Sequence, residues 1–94
     1  MSNEIAEGER IRVFCSKSPG AFLNEYLISI DTEDGPISGF IEAQSVEETE
    51  TGANFIWGVV HEIEDERVVI NLPGSFFTTT GIAHFSRHIL ENTL

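Results

Sequence analysis

The chain has 94 residues, with sixteen Asp and Glu against five Lys and Arg and a formal net charge of -11. A field this one-sided excludes direct binding to duplex DNA and to anionic membrane surfaces, because it offers no source of phosphate neutralisation. Hydrophobic residues make up 40% of the chain and charged residues 22%, and seven Phe supply large apolar groups, so wholesale disorder is excluded and one small domain is expected.

Residues 1–8 are polar and read as a flexible N-terminal arm ahead of a single domain over 9–94. They carry neither the basic nor the apolar region of a signal peptide. Residues 10–16 alternate, with Ile11, Val13 and Cys15 on one face and Arg10, Arg12 and Phe14 on the other, which predicts a strand. Cys15 is the sole cysteine, so no intrachain disulfide forms; its place on the apolar face predicts a packed thiol. A reducing, cytoplasmic setting is expected.

A turn follows at residues 16–20, and 21–25 is ambiguous between a helical turn and strand. Residues 26–30 predict the second strand, 31–36 a strong turn, and 37–46 a returning strand. After a polar loop at 47–54, the fourth strand over 55–63 is the most apolar. Trp57 is expected in the core, in register with Phe55 and Val59, while Ile56 and Val60 lie opposite. The turn at 64–66 leads to a fifth strand at 67–72. Ile82, Phe85 and Ile89 then fall at helical spacing and predict a helix over 81–91, capped by Thr79 or Thr80. The predicted fold is mainly β with an α+β element: about five antiparallel strands in meander order, a curled sheet or small barrel, and one C-terminal helix. No run approaches the roughly 18 apolar residues of a membrane span.

In a simple meander, Glu7, Glu9, Asp31, Glu33, Asp34, Glu64, Asp65 and Glu66 converge at one pole. The last six are the candidate partner-binding residues, an acidic face for a basic protein surface. The competing reading is that acidic turns keep a small protein soluble. The opposite pole collects Lys17 and Ser18 from the first loop and Ser75, Thr78, Thr79 and Thr80 ahead of the helix. These are the candidate ligand-binding residues, with hydroxyls, a lysine and a helix N-terminus suited to an anion.

Catalytic and metal signatures are lacking. No GxSxG, HExxH, GxGxxG or GxxxxGK[ST] pattern occurs. The 31–42 segment puts Pro36 where a calcium loop needs glycine. His84 and His88 share a helical face without a third ligand, and His61 falls on the apolar face of its strand. No cofactor, metal or catalytic residue is therefore assigned.

The sequence supports a non-enzymatic acidic interaction module: a small regulator, inhibitor or accessory protein acting on a basic or nucleic-acid-binding protein, of which a viral or mobile-element inhibitor is one instance. The alternative is a binder of a phosphorylated or nucleotide-like ligand at the 75–80 segment, with Phe14, Phe40, Phe76 and Phe77 at its rim. A homodimer is expected, because Phe14, Phe40, Ile56 and Val60 would otherwise form an exposed apolar patch.

Overall fold

Alternating apolar residues at Ile11 and Val13, Ile28 and Ile30, and Ile56 and Val60 give each early strand one face to hide, and the fold hides all of them together. The computed structural model describes residues 5–77 and 81–92. Its strands are β1 (Arg10–Pro19), β2 (Glu25–Thr32), β3 (Gly35–Glu42), β4 (Glu47–Glu48), β5 (Asn54–Ile63), β6 (Arg67–Asn71), β7 (Ser75–Phe76) and β8 (Ile82–Ser86). A 3-10 turn at Ala43–Ser45 precedes β4, and a six-residue helix, α1 (Arg87–Asn92), follows β8.

Seven strands form one antiparallel path in the order β7-β3-β2-β1-β5-β6-β8, with β4 paired to β5. The expected count of five is too low, and the simple meander does not hold. The long first strand explains why. Its first half pairs with β5, from Arg10↔Val59 to Cys15↔Asn54, and its second half with β2, from Ser16↔Ser29 to Pro19↔Tyr26. One strand thus serves two partners and curls the sheet, so the chain leaving β3 must travel to the far side of β1. The curl brings the β2–β3 turn to the opposite edge, where the Glu33 amide donates to the His84 carbonyl at 2.9 Å. The result is a half-barrel.

The helix predicted over 81–91 is helical only from Arg87 onward, in α1. Residues 82–86 are strand β8, paired with β6 from Asn71↔Ile82 to Arg67↔Ser86. Ala83 and Phe85 are buried while Ile82 is exposed, so a period of two prevails over the helical spacing. β6 has a free edge there, and pairing it satisfies a full ladder of backbone groups. His84 and His88 consequently share no helical face. The capping positions Thr79 and Thr80 lie outside the described residues, as does Thr78.

The core also assigns the faces of β5 the other way round from the sequence reading. Ile56 and Val60 are fully buried at its centre, with Ile28, Ile30, Val68 and Ile70. Trp57 stands half-buried on the outer face, where its indole N–H donates to Glu47 at 2.6 Å and the Arg10 guanidinium lies 4.5 Å from its ring centre. The Ile56 and Val60 share of the expected apolar patch is therefore internal. Gly58 permits this inward packing, since a Cβ there would meet the Ile70 side chain at 2.5 Å. His61 is exposed beside a register shift between Val60 and Glu62, not on the apolar face. At the N-terminus, Ile5 joins the core and the Gly8 amide donates to the Val60 carbonyl at 2.8 Å, while residues 6–8 are exposed. Among the described residues no helix is long and apolar enough to cross a membrane.

Candidate functional site

The β1–β2 loop, residues 20–24, is tied at its base. The Gly20 amide donates to the Glu25 carbonyl at 3.0 Å and the Glu25 amide to the Phe22 carbonyl at 3.2 Å. A Cβ on Gly20 would stand 2.7 Å from the Glu25 carbonyl oxygen, so only glycine closes this loop without a shift. The closure turns two large apolar side chains outward: Phe22 is 70% exposed and Leu23 fully exposed.

A second segment reaches the same place from the other side of the chain. β7 lies on β3 through Gly39↔Phe76 and Phe40↔Ser75, extended by a 3.0 Å bond from the Phe77 amide to the Ser38 carbonyl. Gly39 is required at this contact, because a Cβ would collide with the Ser75 carbonyl. Gly74 makes the preceding turn with φ +96°, in the left-handed region that favours glycine. Phe77 is 62% exposed and meets Phe40 edge-to-face at 5.3 Å between ring centres.

Between these segments runs a groove of about 520 Å³, lined by Phe22, Phe40, Ile41, Pro73, Gly74 and Ser75 among others. Glu25 and Glu42 stand on its wall. They are direct cross-strand partners in the β2–β3 ladder, an arrangement that destabilises a sheet when both charges are alike. The Gln44 amide donates to Glu42 at 2.8 Å; among the described residues neither glutamate has a cationic partner. The groove thus combines exposed apolar surface with two uncompensated negative charges.

Of the described members of the predicted ligand-binding set, the structure brings Ser75 to the groove and leaves Lys17 and Ser18 outside its lining. Ser75 lines the groove, next to the loop that follows Lys17 and Ser18. Lys17 itself turns away to lie 4.6 Å from the Tyr26 ring centre, and the Ser18 hydroxyl donates to the Leu27 carbonyl at 3.5 Å. Phe76 packs against the core, and Phe14 lies beside Phe55 on the other half of the sheet, 5.9 Å between centres.

The acidic turns meet a common element. Asp34 contacts the His84 ring at 3.1 Å, Glu64 pairs with Arg67 at 3.1 Å, and the Arg87 amide donates to the Glu66 carbonyl at 2.9 Å. Both turns are therefore drawn onto β8 and the start of α1; His84 of β8 partners the Asp34 carboxylate, while Glu64 is partnered by Arg67 of β6. Asp31 lies apart, on a cavity between β1 and β2. No group of three or more His, Cys, Asp and Glu among the described residues has the geometry to hold a metal ion.

Sequence reasoning missed Phe22 and Leu23. The available signal was an adjacent apolar pair inside a loop bounded by Gly20 and Asn24, with no alternation to turn either inward. Comparison of the chain with family models, with curated proteins and with solved structures finds no match in any of the three.

Proposed function

We propose that the chain is a non-enzymatic interaction module, a small acidic regulator or inhibitor that docks a protein partner through the groove between the β1–β2 loop and β7. The observation that carries this reading is a groove lined together by the exposed Phe22 and the cross-strand pair Glu25 and Glu42, with Leu23 exposed next to Phe22 in the loop and Phe77 exposed against Phe40. Monomers seldom leave contiguous apolar surface in water, and burying each such side chain contributes about 1.5–3 kcal/mol. Paired glutamates on the wall select a partner with Lys or Arg beside its apolar anchors, and the net charge of -11 accelerates its encounter. The groove replaces the acidic turns as the primary contact, because the turns offer charge without apolar surface. An anionic small ligand fits less well there, since both wall carboxylates repel it.

The test is fluorescence anisotropy with a labelled peptide alternating Leu and Lys. Phe22→Ser combined with Leu23→Ser should abolish binding, and Glu25→Gln with Glu42→Gln should weaken it about tenfold, the effect of roughly 1.4 kcal/mol. Asp65→Asn with Glu66→Gln should change it little. Loss in the turn variant with retention in the groove variants would return the contact to the acidic turns.

A further inference from the structure

Independently of the groove, the ladder between β1 and β2 is incomplete. The two strands pair only from Ser16↔Ser29 to Pro19↔Tyr26, while β1 from Arg10 to Cys15 is taken by β5. Beyond Ser16 and Ser29 the strands part, and the opening is a cavity of about 370 Å³. That volume is in the range of small-molecule sites.

Strand alternation sorts the lining into two levels. Ser16 and Ser29 are direct partners and share a face; Arg12, Phe14 and Asp31 follow on that face at two-residue steps. Val13 and Cys15 belong to the core face, where Phe85 and Leu90 complete the wall. The opening therefore has a polar lip and an apolar floor.

The lip carries one cation and one anion. Arg12 rests over the rings of Phe14 and Phe55, at 5.6 and 5.5 Å from their centres. Among the described residues neither Arg12 nor Asp31 forms an ion pair, with each other or with any other group. A purely anionic head group entering here is attracted by Arg12 and repelled by Asp31, and a purely cationic one the reverse. A head group bearing both charges is attracted by both, and the apolar floor takes an uncharged tail.

The geometry points to a binding site for a free apolar α-amino acid. Its carboxylate faces Arg12 and the hydroxyls of Ser16 and Ser29, its ammonium faces Asp31, and its side chain lies on Val13, Cys15, Phe85 and Leu90. No bond is made or broken; the site binds.

Nuclear magnetic resonance titration of the isotope-labelled full chain tests this with three probes: L-phenylalanine, 3-phenylpropanoate, which lacks the ammonium, and 2-phenylethylamine, which lacks the carboxylate. L-Phenylalanine should give saturable shifts at the amides of Val13, Cys15, Ser29 and Phe85, and the two controls should bind at least about tenfold more weakly, because each forgoes a charge-assisted contact. Arg12→Gln should weaken L-phenylalanine about tenfold and leave 2-phenylethylamine unchanged or tighter. Asp31→Asn, on the exposed lip, should weaken L-phenylalanine and leave 3-phenylpropanoate unchanged or tighter. Arg12→Lys keeps the charge and should retain part of the affinity if Arg12→Gln fails to fold. Equal binding of L-phenylalanine and either control, shifts confined to other surfaces, or no saturable shift would each overturn the assignment.

Discussion

Ile56 and Trp57 are neighbours in the chain with opposite roles in the fold. Ile56 is fully buried among Ile28, Val60 and Ile70, so Ile56→Ala should cost about 2–5 kcal/mol. Trp57 on the outer face loses its contacts with Phe55, Arg10 and Glu47 when truncated. Trp57→Ala should cost only about 1–2 kcal/mol, the scale of one net hydrogen bond and one exposed cation–π contact. Urea denaturation of both variants checks the order, and a larger loss for Trp57→Ala would turn β5 over. Cys15 gives a second prediction at this scale. Burial pushes its thiol above the ordinary value of 9.0, and the Lys17 charge offsets this only in part. The folded state therefore prefers the neutral thiol. Its alkylation by iodoacetamide at neutral pH should be slower than in the urea-unfolded chain, and Lys17→Met should slow it further. The sign for stability follows: the contribution is level below pH 9.0 and falls as pH rises beyond it. Equal alkylation rates in folded and unfolded chain would remove Cys15 from its half-buried place.

The strands differ in how firmly they are held, and the difference tracks what the sequence revealed. β2 pairs along its full length with β3 and also with β1, and contributes Ile28 and Ile30 to the core. β7 pairs at two positions only and lies at the sheet edge. Hydrogen exchange should find the β2 amides protected to the limit of global unfolding and the β7 amides opening far sooner; equal protection would give β7 a partner beyond β3. The alternation that sets β1 and β2 was legible because each has one buried face and one wet face. β8 was misread because Ile82, Phe85 and Ile89 satisfy a helical period while Ala83 and Phe85 satisfy a strand period, and only the open edge of β6 decides between them. Local residues cannot report an edge supplied by a strand about fifteen positions earlier. The half-barrel was similarly half-visible: the curled antiparallel sheet follows from the strand count, but the bend of β1 between two partners is a long-range fact. At the candidate site, the approach of the first loop to the 73–75 segment was legible, whereas the exposure of Phe22, Leu23 and Phe77 depends on loop closure at Gly20 and on the β7 contact at Gly39.

At the scale of the whole molecule, one surface has two possible occupants, and salt separates them. The case for a homodimer built on Ile56 and Val60 is gone, since both are internal. The apolar surface that remains at the groove can take either a basic partner or a second copy of the chain. A basic partner is drawn in by the field of a chain with net charge -11, and added salt screens that attraction. Two copies meeting through this groove bring four glutamates together, Glu25 and Glu42 from each, inside a mutual repulsion that salt screens equally. Raising ionic strength therefore weakens the first complex and strengthens the second, while the apolar contribution of Phe22, Leu23 and Phe77 is common to both. Sedimentation equilibrium at micromolar concentration should find the 10.4 kDa monomer in low salt and, in high salt, a growing fraction of dimer that Phe22→Ser with Leu23→Ser removes. Anisotropy with the Leu–Lys peptide should run the other way over the same salt series. A dimer that is full in low salt would mean that self-association uses a different face, because the paired glutamates of this one oppose it.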